Sequence, residues 1–98
     1  MLADTLRALP AELGLTRIGE PVVSAQEGGG VAGVVLLAES HASLHAVPHA
    51  GTLFADVFSC APFSADAALA VLTRAYAPAA IDARLVERGP AFGPRGEP

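Results

Sequence analysis

Between Leu37 and Gly51 the chain reads LAESHASLHAVPHAG, with a serine at 40, histidines at 41, 45 and 49, and a single cysteine, Cys60, further on. Three readings fit these residue types. Histidines four apart share a helix face and can hold zinc. A serine beside a histidine can be an activated nucleophile. Histidines on a solvated sheet face, with a cysteine buried as a small apolar residue, would do no chemistry at all. Spacing weighs on the first two. On a strand, His41 and His45 lie roughly 13 Å apart, too far to share an ion, and on a helix Pro48 stops the run before His49. The flanks A-E-S-H-A lack the glycines of a sharp nucleophile elbow, and no acid is obviously placed to orient a histidine. The residues alone leave all three readings open.

The patterning of the chain outlines the frame that must position these residues. Leu2, Leu6, Leu9 and Leu13 recur at helical spacing and predict an N-terminal helix that Gly14 can end, with a kink at Pro10 or a restart near Ala11. Leu15 to Ser24 reads as a strand interrupted around Gly19 to Pro21, Gln26 to Gly30 as a flexible turn, and Val31 to Leu37 as a buried strand. From His41 to Val47 the chain alternates, setting His41, Ser43, His45 and Val47 against Ala42, Leu44 and Ala46. After a turn at Pro48 to Gly51, Thr52 to Cys60 alternates again, with Phe54, Asp56, Phe58 and Cys60 on one face. Ser64 can cap a helix whose stripe is Ala68, Leu69, Leu72, Ala75 and Tyr76 and which Pro78 ends. Ile81 to Glu87 alternates as a last strand. Consecutive strands on short turns predict an α+β fold: a two-layer sandwich in which an antiparallel sheet of four to five strands carries two helices on one face.

Ninety-eight residues, 52% of them hydrophobic, are enough for one packed domain spanning 1–98, with the glycine- and proline-rich residues 89–98 expected to be a loose tail. The net charge of −4 and six dispersed arginines offer no patch for phosphates, which argues against nucleic acid as a partner. The longest run without a charged residue or a histidine, Gly28 to Ala38, is about half a bilayer span, and the N-terminus has no signal-peptide pattern, so a cytoplasmic protein without a membrane partner is expected.

From Gly33 to Cys60 the run GVVLLAESHASLHAVPHAGTLFADVFSC resembles the prokaryotic S-adenosylmethionine decarboxylases. Their pattern has an apolar strand, then E-S-H, a second histidine four residues on, proline, glycine and D-x-F-x-C. The likeness extends weakly through Ser64 to Ala77 and the V-E-R of Val86 to Arg88. Members are proenzymes that cut themselves before the serine of E-S-H. The resemblance therefore implies cleavage between Glu39 and Ser40. It implies a covalent pyruvate cofactor, a pyruvoyl group made from Ser40 that forms a Schiff base with the substrate amine. His45 takes the self-processing role, which suits a group that exchanges protons near neutral pH, and Cys60 that of proton donor. The reaction implied is decarboxylation of S-adenosylmethionine to the aminopropyl donor for spermidine synthesis. Relatives are homodimers with sites completed across the interface, so a homodimer, or a heteromer with a longer paralogue, is implied. Alternation leaves His45 and Cys60 at the ends of neighbouring strands that could share a site.

Four departures from the pattern stand out. His49 stands where a glutamate holds the ribose hydroxyls, Gln26 where an aromatic stacks on adenine, and Ala32 where a serine aids self-processing, and the chain begins almost at the first helix instead of with a strand. His49 is thus the candidate substrate-binding residue. Three readings follow: a divergent S-adenosylmethionine decarboxylase, a pyruvoyl-dependent decarboxylase of arginine or ornithine, or an unprocessed homologue acting as a binding or structural subunit. No three-residue metal site is expected.

Overall fold

A computed structural model describes residues 2–88. The chain forms α1 (Leu2–Glu12), β1 (Arg17–Ala25), β2 (Val31–Leu37), β3 (Ser40–Val47), β4 (Thr52–Ser59) and α2 (Ala65–Tyr76). The four strands make one antiparallel meander in the order β1-β2-β3-β4, and the helices cover one face of it, as the two-layer α+β reading expects. The expected loose tail, 89–98, lies outside the described residues.

The leucine stripe of α1 is the centre of the core. Leu2, Leu6, Leu9 and Leu13 are buried against Val35 and Leu37 of β2, Ala42 and Leu44 of β3, and Ala68 and Val71 of α2. Close approach of α1 to the sheet depends on Gly33, where a Cβ would stand 2.6 Å from Leu2 Cδ2 and 2.9 Å from Leu6 Cδ1. Helix α1 runs unbroken to Glu12, so the restart expected near Ala11 does not occur. Pro10 lies in the last turn, where its missing N–H costs a single bond, and its own carbonyl accepts from Leu13 N and Leu15 N at 3.0 and 2.8 Å. Gly14, at φ 70, then turns the chain out of the helix.

Edge strand β1 carries the expected interruption as a bulge between Ile18 and Val22, with Gly19 at φ 73. Arg7 of α1 bonds Glu20 in that bulge at 2.8 Å, and Arg17 bonds the same carboxylate at 2.6 Å. Both arginines hold the Glu20 carboxyl below its ordinary value, the Arg7 hydrogen bond most of all. Strand β2 is not buried on both sides. It alternates, with Val35 and Leu37 inside and Val34 and Leu36 on an open face, because the helices cover one side only.

Helix α2 starts as expected at Ser64, whose Oγ accepts from Ala67 N at 3.1 Å. Its buried positions are Ala68 and Val71, so the stripe is turned slightly from the one expected, with Leu69 only half-buried. A larger correction concerns Ile81 to Glu87. This segment forms no strand, and Ile81, Leu85 and Val86 are exposed. Ala77 at φ 45 and Pro78 redirect the chain after α2, and the segment pairs with neither sheet edge, so its alternation has no ladder to join.

Candidate active site at the β2–β3 turn

Strands β2 and β3 are joined by two residues, Ala38 and Glu39, closing a hairpin in which Leu37 faces Ser40. Two-residue hairpins require positive φ, supplied most readily by glycine or asparagine. Here Glu39 supplies it, at φ 58. For a residue with a Cβ that conformation costs about 1 kcal/mol or more. Its surroundings impose it: Ala38 N donates to the Thr16 carbonyl at 2.9 Å, and Ser40 is held in ladders to both β2 and β4. The Glu39–Ser40 peptide bond thus joins a strained turn residue to a fixed strand.

The β3–β4 register sets Ser40 directly opposite Ser59. Ser40 Oγ, half-buried, donates to Ser59 Oγ at 3.1 Å. Ser59 Oγ in turn accepts from Ala61 N at 3.0 Å and donates to the Ala61 carbonyl at 2.7 Å. Between Ser59 and Ala61 sits Cys60, a free and exposed thiol, which corrects the reading of Cys60 as a buried apolar residue. Glu39, Ser40 and Cys60 therefore lie at the same end of the sheet. On the opposite face of the same strand ends, His41 stacks on Phe58 with ring centroids 5.4 Å apart, and the Arg88 guanidinium carbon lies 4.7 Å from the centre of that ring.

The other histidines stand elsewhere. His45 is five residues along β3 from Ser40, roughly 17 Å by strand rise, exposed on the open face opposite Phe54. The antiparallel register places Cys60 at the Ser40 end, so His45 and Cys60 do not share a site within one chain. His49 is exposed in the short turn Pro48–Ala50, further still from Ser40. Among the described residues no three His, Cys, Asp or Glu side chains gather as metal ligands. A cleft of about 490 Å³ between α1 and α2, lined by Thr5, Glu12 and Val71, and one of about 400 Å³ lined by Leu2, Val23 and Tyr76, both miss Ser40 and Cys60. No helix among the described residues is long and apolar enough to cross a membrane.

Ser59 is absent from the candidates read from the sequence. Its signal was its place immediately before Cys60 in an alternating strand, but only the register shows which residue it faces. Arg88 reaches Phe58 through the path of a segment without regular structure, which no local pattern encodes.

Fold and site define a small α+β sandwich with a serine mounted behind a strained hairpin turn, bonded to a second serine beside a free thiol. A model of the S-adenosylmethionine decarboxylase family matches residues 1–89. Over 68 residues the chain is 43% identical to the S-adenosylmethionine decarboxylase proenzyme of Thermoplasma volcanium, covering 68% of this chain and 52% of that one. The corresponding proenzyme of Thermoplasma acidophilum is 41% identical over 69 residues (69% and 53%), and that of Aquifex aeolicus 43% over 61 residues (61% and 45%). The matched part spans about half the length of these relatives. The chain belongs to the S-adenosylmethionine decarboxylase family.

Proposed function

We propose that this chain is a pyruvoyl-dependent decarboxylase that cuts itself between Glu39 and Ser40 and then removes carbon dioxide from S-adenosylmethionine, supplying the aminopropyl donor for spermidine synthesis in the cytoplasm. The observation that carries this reading is the position of Ser40. Its hydroxyl adjoins a carbonyl held in a strained turn, at the sheet end that also carries Cys60, in a member of this family.

Ser40 Oγ adds to the Glu39 carbonyl carbon; the amide C–N bond breaks as the ester C–O bond forms, and the hydroxyl proton goes to the freed nitrogen. Elimination at residue 40 then releases the Glu39 carboxylate, and hydrolysis sheds ammonia, leaving a ketone at the new N-terminus. Relief of the Glu39 conformation favours the forward direction. That pyruvoyl group supplies an electron sink for the pair left when carbon dioxide departs. Cys60, exposed one residue from the partner of Ser40, returns a proton to the substrate carbon.

His45 assists cleavage from a second copy of the chain. The open face that carries His45 also exposes Ile18, Val22, Leu36 and Phe54, each more than half accessible, an apolar sheet surface that water disfavours. Packing two such faces together forms a homodimer and brings groups of one copy toward the other. A second reading keeps the chemistry but takes arginine or ornithine as substrate. It is favoured by Gln26 and His49 at positions where the family pattern has nucleoside contacts.

Intact mass tests the proposal first: a cut chain gives fragments 1–39 and 40–98, whereas one species at 9.9 kDa refutes self-cleavage. Release of labelled carbon dioxide from S-adenosylmethionine, arginine and ornithine then decides the substrate.

A further inference from the structure

We propose that Ser59 is the group that orients the Ser40 hydroxyl for self-cleavage. The inference rests on the self-cleavage reading above and adds a residue to it. A serine hydroxyl rotates freely, and an attack on the preceding carbonyl needs its oxygen lone pair, not its proton, directed at the carbonyl carbon. In the uncut chain the Ser40 proton is already committed elsewhere, to Ser59 Oγ at 3.1 Å. That acceptor is itself rigid. Ser59 Oγ takes the Ala61 N–H at 3.0 Å and gives its own proton to the Ala61 carbonyl at 2.7 Å, so its donor and both acceptor positions are used and its rotamer is set. The cross-strand pairing of Ser40 with Ser59 fixes the backbone distance between the two hydroxyls, and both are half-buried, which limits competition from solvent.

The same contacts give Ser59 a second effect: its bonds to Ala61 close the tight turn that holds Cys60 at the Ser40 end of the sheet. One hydroxyl therefore couples the bond to be cut and the placement of the thiol. Threonine at 59 would keep the hydroxyl; alanine would leave Ser40 Oγ free to rotate and Ala61 N without its acceptor.

The test is a time course of cleavage after refolding of the full chain, followed by intact mass, for wild type, Ser59→Ala and Ser59→Thr. Losing one orienting hydrogen bond slows cleavage by about 3- to 10-fold, so Ser59→Ala lags by that factor while Ser59→Thr follows wild type. Hydroxylamine, which opens an ester but not an amide, releases less fragment from Ser59→Ala at early times, placing the defect in the first step. Circular dichroism and melting of the three uncut chains check that each folds. Cleavage of Ser59→Ala at the wild-type rate, or equal slowing in Ser59→Ala and Ser59→Thr with all three folded, overturns the inference. A wild-type chain that never cuts overturns the proposed function instead, and intact mass separates the two failures.

Discussion

At the scale of single residues, the proposed cleavage site combines a nucleophile with a backbone that stores strain beside it. Glu39 at φ 58 should make the uncut bond less stable than an ordinary peptide. Replacing it by glycine, which adopts that φ without penalty, is expected to slow cleavage by roughly tenfold or less, the factor equivalent to about 1 kcal/mol. A mass time course measures it, with Glu39→Ala as the control for loss of the carboxylate. Ser40→Ala should abolish both cleavage and carbon dioxide release, and any activity that survives in it contradicts the pyruvoyl proposal. Cys60→Ala should behave differently: it cuts normally, because the thiol is exposed and outside the Ser40–Ser59 hydrogen bond, yet turns over substrate at least tenfold more slowly. Equal turnover in the cut Cys60→Ala chain would remove the thiol from the proposed mechanism.

At the scale of elements, the site is only as well placed as β3, and β3 is held by α1. Gly33→Ala forces a Cβ toward Leu2 and Leu6, the second fully buried and unable to move aside, and is expected to cost about 1–3 kcal/mol in chemical denaturation. Leu44→Ala, removing a fully buried side chain of β3 itself, should cost about 2–5 kcal/mol. The clasp between α1 and β1 gives a pH dependence. The Glu20 carboxyl is held below its ordinary 4.5 by Arg7 and Arg17, so its stabilising effect is present above that pH and is lost as pH falls through the lowered value. Wild type should therefore melt slightly above Glu20→Gln at neutral pH, with the gap closing on acidification and shrinking in salt, since the groups are exposed. A gap that widens toward acid contradicts this assignment.

At the scale of the molecule, one sheet face has no covering layer among the described residues, and the proposed dimer follows from that. Leu36→Asp, at a position 61% exposed on this face, should give a folded monomer by light scattering, since the change introduces a charge into the interface without touching the core. If His45 acts across the interface, neither Ser40→Ala nor His45→Ala alone should yield cut protein at the normal rate. Co-expressed, the pair should restore cleavage of the His45→Ala chain, whose Ser40 then meets the intact His45 of its neighbour. Failure of that restoration in a mixed dimer confirmed by mass would confine His45 to some other role.

Local chemistry determined most of the elements without reference to the rest of the chain. The leucine stripe of α1, the alternation of β3 and β4, the Ser64 cap and the interruption at Gly19 to Pro21 all express preferences carried by a few neighbouring residues. The run from Gly33 to Cys60 likewise carried the family resemblance by residue type and spacing. What the tertiary structure decided depends on register and on partners. Whether Val31 to Leu37 is buried on one face or two depends on where helices lie. Ile81 to Glu87 alternates like a strand but remains irregular, because a strand exists only when another offers it hydrogen bonds. The pairing of Ser40 with Ser59, and the separation of His45 from Cys60, follow from the offset between two strands: a shift of one residue there would exchange every contact at the site while leaving each strand's own pattern unchanged.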